Sequence, residues 1–390
     1  MDLTPILKLM AEKRASDVFF SAGAPVHIKI DGKVAPINAI NLSAELIDSA
    51  AASLMGPERV PAFRERHEMN FGFGVEGLGR YRVNVFRQRG STAMVIRYLP
   101  EQPPQLDALH LPKICAELAL EKRGLILVVG STGSGKSTTL SAMIDYRNRH
   151  GGGHILTLED PIEFIHPNGR ALINQREIGT DTASYTDALV NAMREAPDVL
   201  VIGEIRDRET LREALLFTQT GHLCLATLHA NNAYHALNRI VSFFPPDTRA
   251  PLLMDLSLSL KAVLSQRLVV KADGRRVAAV EVLLNTFQVS ELIQRGEFDR
   301  VKDAIAQTLG NGAQTFEQAL LGLYRAGVIS ESEALDNADS RTDMAWQIGN
   351  GSAPDEVSRP FQLKTDEDVE AENANFSSEL LAKLSQRAKR

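Results

Sequence analysis

The sequence has little cysteine. Cys115 and Cys224 are its only two in 390 residues. They stand far apart and outside any Cys-x-x-Cys pair, so neither a zinc site nor a disulfide framework can be read from them. Long apolar runs are also missing. No stretch approaches the eighteen or so residues that cross a bilayer. The opening Met1, Asp2, Leu3, Thr4 and Pro5 lacks the basic-then-apolar order of a signal peptide. Nor is there an excess of basic charge: 43 Lys and Arg against 49 Asp and Glu leave a net charge of −6. A dedicated nucleic-acid binder presents a basic face, and no basic stretch here is rich in stacking aromatics. Nucleic acid is therefore not expected as the main partner. These absences point to a reducing cytoplasm and no direct membrane insertion, with any membrane contact made through a partner protein.

What is present is ample apolar content, 44% over a length that suits two or three domains. Residues 1–99 read as a small α/β domain. Leu3, Ile6, Leu7 and Met10 recur at helical spacing. Val26–Ile30 meets the hairpin signal Asp31-Gly32. A helix follows Ser43, and 68–75, 80–87 and 91–98 alternate like strands. Residues 100–112 hold Pro100, Pro103, Pro104 and Pro112 and read as an extended linker. Beyond it, the apolar runs Leu125–Val129, His154–Leu158, Val199–Ile202 and His222–Leu228 alternate with helical segments, which predicts a parallel sheet covered by helices over 113–275. Residues 251–350 look mostly helical, and 276–350 reads as a helical C-terminal subdomain. Capping-box spacings at Thr315/Gln318 and Ser330/Glu333 place two helix starts. Residues 351–390 form an acidic tail expected to be disordered.

The strongest chemical signal is the run Gly130, Ser131, Thr132, Gly133, Ser134, Gly135, Lys136, Ser137, followed by Thr138. It is a full G-x-x-x-x-G-K-[ST] pattern, with an apolar strand before it and a helical stretch after it. The glycines let backbone N–H groups turn onto the phosphates of ATP, Lys136 adds a point charge, and the Ser137 hydroxyl ligates Mg²⁺. The positive end of the following helix faces the same anion.

Binding alone is not hydrolysis, which also needs a group to activate water and another to hold the metal shell. Two acidic clusters follow apolar runs: Glu159, Asp160 and Glu163 after Leu158, and Glu204 after Ile202 and Gly203. Ligands of open α/β sheets bind beyond the carboxyl ends of strands, so both clusters suit this chemistry, with Glu204 in the metal shell. His222 and His229 bracket another run. Their separation of seven puts the two rings on opposite faces of a strand, so they are not two ligands of one metal.

The order of these motifs resembles the secretion ATPase superfamily, from residue 1 to about 340, and most of all the type IV pilus retraction ATPases of the PilT/PilU family. Gly130–Ser137, Leu158–Glu163, Gly203–Asp207 and Gly221–His229 match its Walker A, Asp box, Walker B and His box. The resemblance implies a PAS-like N-terminal domain, a RecA-like P-loop ATPase domain, and a homo-hexamer with ATP between subunits. It makes Glu163 the catalytic base, Glu204 the Walker B acid, and His222 and His229 contacts to the nucleotide. It also implies a place in the cytoplasm, peripheral to the inner membrane at the pilus base, beside a platform protein. The stretch Gln288–Arg295 keeps Leu292 and Ile293 of the family's Ala-Ile-Arg-Asn-Leu-Ile-Arg-Glu motif but neither its arginines nor its asparagine. With the acidic tail, this is similar to the PilU-type accessory motors, which act with a PilT-type retraction ATPase.

Arg80, Arg82, Arg87 and Arg97 make the end of the N-terminal domain rich in arginine. An arginine on a transferring phosphoryl group is worth roughly 10³–10⁵ in rate, or about 4–7 kcal/mol. In the family, arginines of this domain reach the nucleotide, and the resemblance points to Arg82 and Arg97, which lie on predicted strands leading toward the linker. The alternative reading is a nucleotide-bound adaptor that modulates a partner pilus motor with little turnover of its own. Steady ATP hydrolysis separates the two.

Overall fold

The computed structural model describes residues 2–13, 15–30, 32–99, 102–308 and 312–350. The tail at 351–390, Asp31 of the expected Asp31-Gly32 turn, and Pro100 of the linker lie outside the described residues. The chain forms two compact units. One is Met1–Pro103 with Gly152–Glu204, and the other is Pro104–Gly151 with the chain from Ile205 onward.

In the first unit, β1 (Asp17–Phe20), β2 (His27–Ile30), β3 (Lys33–Pro36), β4 (Glu68–Val75), β5 (Gly79–Gln88) and β6 (Ser91–Leu99) form a sheet in the order β3-β2-β1-β6-β5-β4. Every pairing in it is antiparallel. Strict alternation along β5 decides its two faces. Tyr81, Val83 and Val85 are fully buried and join the core with Leu7, Met10, Ile47 and Ala50 of the helices Thr4–Lys13 and Ala44–Arg66. The buried Tyr81 hydroxyl donates to the Leu7 carbonyl at 2.9 Å. Arg80, Arg82 and Asn84 take the opposite face and are half-buried. The expected helix start at Ser43 is present, with its hydroxyl accepting the Leu46 N–H.

In chain order, β7 (Gly124–Gly130) belongs to the second unit, and β8 (Gly153–Glu159), β9 (Ala171–Glu177) and β10 (Val199–Ile202) to the first. There β10-β8-β9 are parallel neighbours. The second unit continues with β11 (Leu223–Leu228), β12 (Leu260–Val270) and β13 (Arg276–Leu284), in the order β13-β12-β7-β11. β7 runs parallel to both β11 and β12. Both β7 and β11 are buried along their whole length, which is why they read as unbroken apolar runs.

Two strand readings need correction. The stretch 251–350 is not helical throughout: after the helix Arg249–Ser259, Leu260–Val270 and Arg276–Leu284 form an antiparallel pair of strands, β12 and β13. Its apolar residues are dense because β12 lies between β7 and β13 and is covered on its faces, which hides the period of two. β9 was also not foreseen. The expected helix starts are present: Thr315 and Gln318 close a reciprocal capping box on the helix Phe316–Arg325, and Ser330 caps Glu331–Asn337. Phe316, Leu320, Ala334 and Met344 of the C-terminal helices pack on Val269, Val277 and Ala279 of the β12–β13 pair. No helix among the described residues is long and apolar enough to cross a membrane.

Candidate active site

The phosphate loop lies in the second unit, between the buried strand β7 and the helix Lys136–His150. Gly133 and Gly135 take φ of 79° and 91°, a region that favours glycine. Gly130 has no room for a side chain, since a Cβ there would lie 2.3 Å from Ser134 Oγ and 2.6 Å from the Gln266 carbonyl. Gly135, the residue that caps the helix, makes no side-chain cap, so no side chain takes the place of an anion at that end. Lys136 is buried, and its Nζ donates to the carbonyls of Gly130 at 3.0 Å and Ser131 at 2.9 Å. Ser134 Oγ is buried and has no partner. Ser137 and Thr138 follow in the first helical turn, half-buried. Beside them a cavity of about 340 Å³ is lined by Thr138, Thr139, Leu111 and Leu268 together with the polar His110 and Arg276.

His229 belongs to the same place. It follows the last residue of β11, and its Nδ1 lies 3.4 Å from Lys136 Nζ. His222 does not. It precedes the first residue of that six-residue strand, roughly 20 Å from His229. There it packs at a tilt against Phe217, with ring centroids 4.9 Å apart, and shares a hydrogen bond with Thr220 Oγ1 at 2.9 Å.

The acids lie in the first unit. The register aligns Ile202 with Leu158 and Glu159 with Glu177, so Glu204, Glu159 and Glu177 stand at the carboxyl ends of three neighbouring parallel strands. Gly203 N–H donates to the Leu158 carbonyl at 2.8 Å, which carries β10 alongside β8 up to the half-buried Glu204. Glu159 accepts from Thr157 Oγ1 at 2.7 Å and from Gln175 Nε2 at 3.0 Å. Burial pushes its carboxyl above the ordinary range, these hydrogen bonds pull it back, and the charge of Glu163 raises it further. Glu163 itself is exposed, beyond the turn of Asp160, Pro161 and Ile162.

Arg82 and Arg97 are direct cross-strand partners on β5 and β6. Arg97 is exposed and pairs with the buried Asp17 at 2.9 Å. Arg82 is half-buried and lines a cavity with Asp160 and Glu177. Arg80, on the same face of β5 as Arg82, lies 3.6 Å from Glu177. Glu177 carries no motif signal, and Arg80 was one arginine among several.

A phosphate-cradling loop between a buried parallel strand and a helix in one unit, and acids ending parallel strands in the other, define the class: a P-loop ATPase of the RecA-like kind. The model of the Type II/IV secretion system protein family matches residues 1–319, and the chain belongs to that family. The type IV pilus ATPase PilU of Pseudomonas aeruginosa is 47% identical over 356 residues, covering 91% of this chain and 93% of that protein. The type IV pilus retraction ATPase PilT of the same organism is 41% identical over 339 residues, covering 87% and 98%. The crystal structure of the pilus retraction motor PilT with bound ADP is similar with a TM-score of 0.83 at 39% identity, covering 89% of this chain and 100% of that one. Within its family the chain is thus a PilT/PilU-type ATPase, with an N-terminal domain ahead of the RecA-like one.

Proposed function

We propose that this chain is a cytoplasmic, homo-hexameric motor that hydrolyses ATP·Mg²⁺ to help retract type IV pili, working beside a PilT-type retraction ATPase at the inner-membrane platform protein. The observation that carries the reading is Lys136, buried against its own loop carbonyls with His229 beside it. An arriving γ-phosphate offers that ammonium a stronger, charged acceptor than two carbonyls. Lys136 and the N–H groups of Gly133–Ser137 hold the phosphates, Thr138 lies toward the base, and His229 responds to what Lys136 binds. Ser137 and Glu204 offer Mg²⁺ the hard oxygen donors it favours, and bound Mg²⁺ neutralises charge on the phosphates. Glu163 takes the proton of the attacking water. Arg82 and Arg97 neutralise the charge that develops, supplied by a neighbouring subunit of the ring.

The accessory role is supported by the helix Phe287–Arg295. The motif residues it keeps, Leu292 and Ile293, are buried, while Gln294, where the family motif has arginine, is exposed. Packing is preserved and the outer surface is changed, as expected of a motor that engages its partners differently. ATP turnover of the purified full chain, alone and with a PilT-type partner, tests the reading. Turnover by the chain alone that is abolished in Lys136→Ala supports a motor. Tight nucleotide binding with no turnover in either setting overturns it in favour of an adaptor.

A further inference from the structure

β5 carries arginines on one face of the six-stranded sheet, and one of them lies beside a buried acid that the hydrolytic reading does not use. Glu177, the last residue of β9, is 6% exposed. Its Oε2 accepts the backbone N–H of Ile162 at 3.1 Å and lies 3.6 Å from the Arg80 guanidinium. Its Oε1 accepts from Thr180 Oγ1 at 3.1 Å. The turn that follows wraps back on the same residue, with Asp181 N–H donating to the Glu177 carbonyl at 2.8 Å and Glu177 N–H to Asp181 Oδ2 at 2.8 Å. Glu177 is thus fixed on its own backbone and presents one oxygen to two groups: an amide one residue before Glu163, and an arginine of the sheet.

The sheet makes room for that arginine. Gly72 on β4 stands opposite Arg82, and a Cβ on it would come within 3.3 Å of the Arg80 guanidinium, which lies diagonally across it. Arg80, Arg82, Gly72, Asp160, Ile162 and Glu177 line one cavity of about 110 Å³. A buried carboxylate has to be compensated by charge and hydrogen bonds. Arg80 supplies the charge here, and the Ile162 amide supplies a hydrogen bond through the turn that aims Glu163.

We propose that Arg80 and Glu177 form a positioning clasp, in which the six-stranded sheet, through the shared Glu177 carboxylate, sets the orientation of the turn carrying Glu163 and with it the rate of hydrolysis. The inference rests on the reading of Glu163 as the water-activating base. The clasp acts through Glu163, so its loss is expected to leave ATP binding in place and to lower kcat. A displacement of about 1 Å in a group that must meet an attacking water is enough for a loss of roughly 10²-fold.

The test is steady-state ATP hydrolysis by the full chain, with kcat and KM for ATP measured separately. Glu177→Ala is expected to lower kcat on the order of 10²-fold with KM within about twofold of wild type. Glu177→Gln keeps an acceptor for the Ile162 amide but loses the ion pair, so its loss is smaller and equals that of Arg80→Met. The Glu177→Gln, Arg80→Met double variant loses no more than either alone, because the two share one interaction. Glu177→Ala added to Glu163→Gln brings no further loss in residual single-turnover rate, because the clasp acts only through Glu163. Wild-type kcat in Glu177→Ala with Glu163→Gln inactive overturns the clasp and leaves the base in place. A rise in KM that accounts for the whole loss overturns it too, as does full additivity in either double variant. Normal hydrolysis by Glu163→Gln instead removes the base, and the clasp with it. If Glu177→Ala does not fold, additivity of Glu177→Gln with Arg80→Met decides.

Discussion

Replacing Glu281 with glutamine tests how strongly the second unit's interior acts on its charges. Glu281 lies on β13, 6% exposed, with its carboxylate oxygens 3.3 and 3.4 Å from the Ala233 N–H that opens the helix after His229. Burial pushes its carboxyl up to about 7 from an ordinary 4.5. The Ala233 N–H and the charge of Arg267 pull it down, and the charges of Asp339 and Glu317 add to the rise. The folded chain therefore holds this proton more tightly than the unfolded chain. The resulting stability is complete below about pH 4.5 and is lost as pH rises through about 7. The gap between the two values corresponds to roughly 3 kcal/mol, most of it falling between pH 5 and pH 8. Glu281→Gln does not ionise and stays outside this loss. Urea unfolding of both proteins at pH 5 and pH 8 should show the wild type losing about 2–3 kcal/mol more than the variant on going to the higher pH. Equal losses in the two proteins would refute the reasoning, since the carboxylate would then be as well solvated in the fold as outside it.

Glu163→Gln and Glu204→Ala should both still bind ATP while losing most hydrolysis, read as retained nucleotide affinity against a fall in kcat; normal turnover by Glu163→Gln would place the base elsewhere. A Lys136→Ala chain mixed with an Arg82→Ala, Arg97→Ala chain should recover part of the activity that each pure ring lacks, in proportion to co-assembly. Co-assembled rings without recovery, in a ring shown to tolerate single defective sites by mixing with wild type, would count against arginines acting from the neighbouring subunit. Tyr81→Phe removes the buried hydroxyl bonded to the Leu7 carbonyl and should lower the unfolding free energy by about 1 kcal/mol with ATP turnover unchanged; a neutral result would mean that water replaces the bond.

The phosphate loop was legible because its chemistry is local. Gly130, Gly133, Gly135, Lys136 and Ser137 sit within eight residues, and the strand and helix that position them are adjacent in sequence. The helix starts at Ser43, Thr315 and Ser330 were legible for the same reason, since a cap is a bond between residues three apart. The β12–β13 pair was less so. Its turn carries an Asp273-Gly274 signal, with Gly274 at φ 78°. The apolar runs on either side, however, are covered by neighbouring strands and helices, and burial on both faces erases the alternation that marks a strand.

The sequence by itself determined the α/β class, from the alternation of apolar runs with helical segments, and the nucleotide loop, whose residues lie within a few positions of one another. Only the tertiary structure decided that His229 and not His222 stands beside Lys136, since the two histidines differ only in which end of β11 they occupy. It alone singled out Arg80 from the other arginines of its sheet and joined it to Glu177, a partner 97 positions away. It alone raised the carboxyls of Glu159 and Glu281. Ion pairing across such a separation and removal of a charge from water are properties of packed elements, and no local pattern of residues encodes them.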